Sequence, residues 1–380
     1  MTVVLYISFL LAVLYVILMV LYRFGWQRQE TFNLPPRYQP ETKISVIVPA
    51  RNEEIHIGAC IKSLLAQDYP VDLLEIIVVD DHSTDATAKI IQSFAATNLH
   101  YIDLQKHAAT NIIVTAYKKF ALATGIAHAG GELIVTTDAD CVAGTQWLKH
   151  IAAIYERDKS VMVVAPVDFS CNSSTVQLFQ SLDFMSMQGI TAATLQMKLG
   201  NMCNGANLAF QRAAYEKVDG YKGVDHIASG DDYLLMMKLN KVYRGSISYL
   251  KSPEAIVYTP PQPDWAGFLQ QRIRWASKSG KYDDKKMTAV LMLVYLFNLS
   301  LVAMLIIAIF YSNYFVCLAA MFGAKVIIEL VYLYPVAGFF SKRKQLWIFP
   351  LLQPLHIVYI VVAGLLGFAG KYRWKDREVQ

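Results

Sequence analysis

The sequence predicts an α/β domain with a mainly parallel sheet, carried by one N-terminal and two to three C-terminal hydrophobic helices. Three observations carry that expectation. Uncharged runs long enough to cross a bilayer lie toward the two ends of the chain, and none occurs between Tyr22 and Met287. The stretch between them alternates short β-branched runs with segments of helical periodicity, the pattern of strands and helices taken in turn. The composition, 55% hydrophobic and 17% charged over 380 residues, is too apolar for an ordinary soluble domain and too polar for a bundle of spans alone.

Val3 to Tyr22 carries no charge, and a crossing takes about 20 residues. The run lacks a basic leader, exceeds the roughly 7–15 apolar residues of a signal peptide, and shows no small-x-small site before Arg23. It is expected to stay as an anchor, residues 1–24. Arg23 and Arg28 follow it, which puts its C-terminal side in the cytosol, at the inner membrane if the cell is bacterial. A linker from Gln27 to Thr42, with Pro35, Pro36 and Pro40, separates the anchor from the domain.

That domain is expected over residues 43–286. "KISVIVP" reads as a strand, and Ile57, Ile61, Leu64 and Leu65 then recur at helical spacing. "EIIVVDD" is a second buried strand, followed by a helix from about Thr84 with Ser83 or Asp85 as its cap. A strand near "LHYIDL", a helix from Asn111 to His128 and the strand "ELIVTTD" continue the alternation. Strands this apolar belong to a parallel sheet covered on both faces. Ligands of such sheets sit beyond the carboxyl ends of the strands, and three strands here end in polar chemistry: "VPARNEE", "VVDDHSTD" and "VTTDADC". Further on, Ser174 to Gly200 reads as one helix or two, rich in Phe, Leu and Met, either core or an adaptable apolar surface.

The C-terminal membrane region is expected over residues 287–370. Met287 to Tyr311 is uncharged, Asn313 to Phe340 carries only Lys325 and Glu329, and Leu346 to Gly370 has no Asp, Glu, Lys or Arg. Lys325 and Glu329 lie four apart and can neutralise one another, as a packing ion pair or as a holder of an acceptor headgroup. Three single crossings would leave the basic tail, residues 371–380, outside, against the positive-inside rule. Pro350, Pro354 and His356 interrupt the last run, so a broken or re-entrant segment that returns the tail to the cytosol is expected. Lys342, Arg343 and Lys344, then Lys371, Arg373, Lys375 and Arg377, point to anionic lipid headgroups rather than nucleic acid. The five cysteines, Cys60, Cys141, Cys171, Cys203 and Cys317, are scattered and form no C-x-x-C pair, which indicates neither a disulfide framework nor a zinc site. Oligomeric state is not readable from the chain.

Four short motifs offer chemistry, each with a plainer alternative. Asp138-x-Asp140 supplies hard oxygen ligands for Mg²⁺ or Mn²⁺, or serves a turn. Asp80 and Asp81 could accept hydrogen bonds from a nucleobase imide or a ribose, or start the next helix. Asp231 and Asp232 open a helix on which Leu235 and Leu239 share a face; they are dipole partners, or one is a general base. Gln271, Arg274 and Trp275 lie in an amphipathic helix just ahead of the membrane, as interfacial anchors or as contacts for a diphosphate and a sugar face.

In order, "SVIVPARNEE", "EIIVVDDHSTD", "YKKFALATGIAHAGGELIVTTDAD", "NGANLAFQR", "SGDDYLLMMKL" and "QQRIRW" resemble the family 2 glycosyltransferases of the GT-A fold, in the membrane-bound branch with a Q-x-x-R-W signature. The resemblance covers Lys43 to Ser279. It implies that Pro49, Arg51 and Glu53 belong to the loop touching the nucleotide, that Asp81 beside Asp80 reads a uracil-type base, and that Lys118 lies near the diphosphate. It implies further that Asp138 and Asp140 carry the divalent metal, that Asp232 is the catalytic base, and that Gln271, Arg274 and Trp275 form the signature set. Relatives often carry Glu before the base; Asp231 stands there, so the base could fall on either aspartate, with Asp232 favoured. The implied reaction is a single in-line, inverting transfer from a nucleotide sugar of the UDP type. The Q-x-x-R-W helix ends close to Met287, so the acceptor is expected to be a lipid or lipid-linked molecule taking one sugar. The competing expectations are a processive polysaccharide synthase and a catalytically silent nucleotide-sugar-binding scaffold.

Overall fold

The computed structural model describes residues 2–107, 116–171, 174–199, 202–227, 229–277, 285–368, 372–374 and 377–379. Its chain divides into a sheet unit, Glu30–Ser170 with Asn201–Pro260, and a helical unit, Met1–Gln29 with Cys171–Gly200 and Pro261–Gln380. The stretch 43–286 is thus shared between the two.

In the sheet unit the β-branched runs become strands β1 (Ile44–Ala50), β2 (Leu74–Asp80), β3 (Leu99–Asp103) and β4 (Leu133–Thr136). These four pair in parallel; the aliphatic residues of β1, β2 and β4 are buried, and in β3 Ile102 is. Strands β6 (Met162–Val164), β8 (Leu208–Gln211) and β9 (Ile247–Tyr249) extend the sheet to the order β3-β2-β1-β4-β8-β6-β9. Only β8 runs against its neighbours, β4 and β6. A small second sheet joins β5 (Val142–Ala143), β10 (Val257–Thr259) and β7 (Val167–Phe169). The helices are α2 (Ile57–Leu65), α3 (Thr87–Gln92), α4 (Leu104–His107), α5 (Tyr117–His128), α6 (Trp147–Asp158), α8 (Arg212–Lys217) and α9 (Asp231–Val242). Residues 111–115 of the helix expected from Asn111 lie outside the described residues. Register places the polar strand ends together. Ala50 lies opposite Asp80 and Ile47 opposite Thr136, so β1, β2 and β4 deliver their carboxyl ends side by side.

Helix α3 starts at Thr87, three residues later than the sequence suggests. The intervening residues are occupied elsewhere: Thr84 N donates to Asn52 Oδ1 at 2.9 Å, and Asp85 Oδ2 accepts the Glu54 N–H at 3.1 Å. A polar loop locked to its neighbour cannot also be the first helical turn.

The helical unit holds α1 (Thr2–Arg28), α7 (Thr175–Met197), α10 (Trp265–Ala276), α11 (Lys285–Phe310), α12 (Phe315–Phe339) and α13 (Phe349–Phe368), then a tail hairpin of β11 (Tyr372–Trp374) and β12 (Arg377–Val379). Four helices are long and apolar enough to cross a membrane, by length and composition: α1, α11, α12 with the short turn before it, and α13. They fit a membrane protein. Helix α7 is a single helix of 23 residues, with Ser174 Oγ accepting the Gln177 N–H at its start. Its Gly189 lets α12 approach closely, since a Cβ there would lie 2.4 Å from the Tyr332 hydroxyl. That hydroxyl donates to the Ser186 carbonyl at 2.8 Å.

Lys325 and Glu329 do form an ion pair, and both are buried. Glu329 also takes the Tyr15 hydroxyl of α1 and the Gln353 amide of α13 at 2.6 Å. A buried carboxylate satisfied from three helices acts in packing; the headgroup role considered from sequence finds no support in this arrangement. The break expected in the last segment is absent. Helix α13 runs unbroken through Pro354 over 20 residues. It travels beside α10: the Phe268 and Tyr359 rings meet at 5.2 Å between centroids, and a Cβ on Gly367 would stand 2.7 Å from Ala276 Cβ.

Candidate active site

The site is built from three loops that leave the carboxyl edge of the sheet, closed by α5 and the start of α9. The loops after β1 and β2 are laced together. Arg51 Nη1 donates to the Asp81 and His82 carbonyls at 2.7 and 3.1 Å. Asn52 N donates to Ser83 Oγ at 3.0 Å, and Glu53 N to Thr87 Oγ1 at 2.8 Å. Asn52 and His82 both take left-handed backbone, φ 50° and 58°, a conformation that a laced loop can hold. "ARNEE" and "DDHSTD" are therefore two halves of one structure. Pro49 lies in β1 opposite Val79.

Of the two aspartates ending β2, Asp80 is committed to the fold. Its Oδ1 accepts from Ser83 N at 3.1 Å and its Oδ2 from the Tyr101 hydroxyl at 3.0 Å. Asp81 is held through its backbone N–H on the Ala50 carbonyl at 2.8 Å, and its carboxylate lies 2.9 Å from His82 Nδ1.

Beyond β4 the chain turns at Asp138, whose carbonyl accepts the Cys141 N–H at 3.1 Å. Ligating atoms of Asp138, Asp140 and Cys141 all lie within 4.8 Å of one another. Burial, reinforced by the charges of Asp140 and Asp138, pushes the Cys141 thiol far above its ordinary range, and the same causes act on Cys60 behind it. The Cys141 thiol donates to Asp140 Oδ1 at 3.5 Å, and the two carboxylates offer hard oxygens that suit a divalent cation.

Lys118, on α5, ties this loop to α9. Its Nζ stands 2.7 Å from Asp138 Oδ1 and 3.3 Å from Asp231 Oδ2. Burial alone would lower its pKa, yet Asp138, Asp231 and Asp232 outweigh that and hold it well above the usual lysine value. The ammonium is permanently charged. Asp232 is held differently: Oδ2 accepts from Gly205 N at 3.1 Å and Oδ1 from Tyr233 N at 2.7 Å. A Cβ at Gly205 would sit 3.1 Å from Asp231 Oδ2, a tight contact, and 3.6 Å from Lys118 Nζ, an ordinary one. Its carbonyl accepts the Thr136 hydroxyl at 2.9 Å, which fastens β4 to the paired aspartates.

Thus Lys118, Asp138, Asp231 and Asp232 converge, with Asp140 beside Asp138. Gln271, Arg274 and Trp275 lie on α10 of the helical unit. Two contributors escaped the sequence reading. Gly205 sits inside "NGANLAFQR", where no single residue stands out. Buried Lys119 follows Lys118 and donates to the carbonyls of Val224, Ile227 and Ser229 at 2.9, 2.5 and 3.1 Å, holding the loop that leads into Asp231. The doubled lysine was the available signal. Arg272, inside the signature itself, pairs with Asp183 of α7.

Comparison with known proteins gives the family. The model of glycosyl transferase family 2 matches residues 45–219, and that of glycosyl transferase family group 2 matches residues 133–361, more than half of the chain. The fold is of the GT-A type. The chain belongs to the family 2 glycosyltransferases. It is 27% identical over 244 residues to the probable glycosyltransferase YdaM of Bacillus subtilis, covering 62% of this chain and 54% of that one. It is 31% identical over 133 residues to the beta-monoglucosyldiacylglycerol synthase of a Nostoc species, 34% of this chain and 28% of that one. It is 25% identical over 256 residues to the poly-beta-1,6-N-acetyl-D-glucosamine synthase of Staphylococcus epidermidis, 66% and 58%. The chain spans between about a quarter and three-fifths of the length of these relatives. Among solved structures, the mannosyltransferase PcManGT from Pyrobaculum calidifontis, in complex with GDP-Man and Mn²⁺, superposes with a TM-score of 0.58 at 21% identity, covering 96% of this chain and 97% of that one.

Proposed function

We propose that the protein transfers a single sugar from a nucleotide sugar of the UDP type to a lipid or lipid-linked acceptor, with inversion, at the cytosolic face of a membrane. The observation that carries the proposal is the convergence of Asp138, Asp231 and Lys118, with Asp232 left outside the ion pair.

The Lys118 ammonium, 3.3 Å from Asp231, engages that carboxylate. Asp232 shows no ion pair among the described residues, and we take it as the base. It takes the proton of the acceptor hydroxyl. The hydroxyl oxygen bonds the anomeric carbon as the bond to the diphosphate breaks, and the electron pair leaves with the nucleoside diphosphate. Lys118 supplies fixed positive charge beside that departing group, and Arg274 of the signature set adds to it. Asp138 and Asp140 would hold a divalent cation, Mg²⁺ or Mn²⁺, which neutralises diphosphate charge. Arg51, Glu53 and Asp81, on the laced loops, take the nucleotide.

A lipid acceptor is favoured by the make-up of the helical unit. The Q-x-x-R-W helix is built into the same unit as the apolar helices, and a relative is named for a diacylglycerol glycolipid. A hydroxyl at headgroup depth would react without extraction, which costs about 0.8 kcal/mol per methylene.

The same unit supports a topology. Helix α10 has 12 residues, too few to cross, and α13 follows it from Tyr359 to Gly367. We take α13 not to cross, so that the tail returns to the cytosol. Arg28, Lys342–Lys344 and the basic tail all become cytosolic, as the positive-inside rule requires. A cysteine at Glu378, in a chain lacking the native five, should resist an impermeant thiol reagent on intact cells; labelling there would make α13 a crossing helix.

The direct test of the reaction offers the purified protein a panel of nucleotide sugars with membrane lipid extract and measures nucleoside diphosphate release. Release from one donor, stopped by a chelator and restored by Mg²⁺ or Mn²⁺, is expected. Full release in the chelator would make the transfer independent of a metal.

A further inference from the structure

Arg272 occupies a position of the signature to which no role is attached, yet it is the most thoroughly held residue of α10. Its side chain is 3% exposed and its Nη2 lies 2.7 Å from Asp183 Oδ2; Nε donates to the same oxygen at 2.8 Å. The other arm, Nη1, donates to Gln271 Oε1 at 2.6 Å. The guanidinium carbon stands 4.2 Å from the centre of the Trp275 ring and 4.6 Å from that of Phe268. One side chain therefore touches two of the three signature residues. Asp183, in turn, accepts the Tyr359 hydroxyl on Oδ1 at 2.9 Å, with His356 Nε2 3.6 Å from that oxygen. Phe184, next in α7, closes on the Trp275 ring at 6.1 Å.

A desolvated ion pair is a poor way to stabilise a core, because apolar residues of similar volume do as well or better. What a forked, planar guanidinium adds is direction. Burial opposes ionisation of Asp183, but the Arg272 charge, helped by His356, wins and holds the carboxyl at about 2. The pair is therefore charged throughout the physiological range.

We propose that Arg272 and Asp183, backed by His356 and Tyr359 of α13, are positioning residues that set the Gln271 amide and the Trp275 ring for transfer. The last helix of the chain thereby becomes part of the catalytic apparatus rather than only of its anchorage. The proposal rests on the participation of Gln271 and Trp275 in the proposed reaction.

The test uses full-length protein in lipid nanodiscs and four variants. Arg272→Lys keeps the charge beside Asp183 and loses the fork. Its turnover should fall about tenfold or more, the scale of a small misplacement in a preorganised site, with the donor KM unchanged. Arg272→Met with Asp183→Leu removes both charges. It should melt near the wild-type temperature and still turn over slowly, an outcome that a merely structural pair would not produce. Tyr359→Phe, which deletes one hydroxyl, should show a smaller loss of the same kind. Wild-type turnover in Arg272→Lys, or in a folded double variant, overturns the proposal. Trp275→Ala is the control: wild-type turnover there would instead overturn the role of the signature set.

Discussion

Replacing Asp232 by Asn is expected to lower turnover by about 10²-fold or more, the scale of a lost general base, while nucleotide-sugar binding persists. The substitution keeps the shape of the side chain. An amide oxygen can still accept one of the two N–H groups that the carboxylate takes, from Gly205 at 3.1 Å and from Tyr233 at 2.7 Å, at the loss of the other. What also disappears is the capacity to take a proton. The neighbouring variant reports on a different function. Asp231→Asn leaves Lys118 with Asp138 as its remaining close carboxylate, 2.7 Å away, and should act mainly on donor binding, with a smaller loss of turnover. Rate measurements at saturating donor, set beside nucleotide binding, separate the two. A dead Asp231 variant beside a normal Asp232 one would move the base by one residue.

The second large effect is expected from the metal pair. Asp140→Asn should weaken metal-dependent donor binding by about tenfold or more; losses of about 10–100-fold in metal affinity already follow from disturbing residues around a ligand. Raising the divalent cation concentration should recover part of it. Asp138→Asn should be worse and less recoverable, because Asp138 also holds Lys118. Its loss leaves a buried ammonium with less compensation, a costly arrangement. Titration of donor binding against Mn²⁺ checks both. Equal, metal-independent behaviour in the two variants would deny these carboxylates the ligand role.

The strands of the sheet unit were readable because apolar β-branched runs bounded by polar loops have few other uses. The polar strand ends were readable because three runs broke in the same way, at Arg51, Asp80 and Asp138, and register sets Ala50, just before Arg51, opposite Asp80. What eluded the sequence was pairing at a distance. Asp183 and Arg272 are 89 residues apart, and neither looks unusual within an amphipathic helix. Asp80 and Asp81 look equivalent in one dimension, yet only the fold shows Asp80 spent on Ser83 and Tyr101. The prolines of the last segment argued for a break, but Pro354 lies in the first turns of α13, where few preceding carbonyls remain for it to disrupt.

Transfer of one sugar to a molecule that stays in the membrane can be measured without knowing the acceptor. Membranes containing the protein are incubated with the labelled donor, the product is partitioned between organic solvent and water, and its mass is determined. Label should appear in the organic phase, on a species one glycosyl residue heavier than its acceptor, and should be absent from membranes carrying the Asp232→Asn variant. Label confined to a long water-soluble polymer would contradict single transfer to a lipid and make the protein a processive synthase.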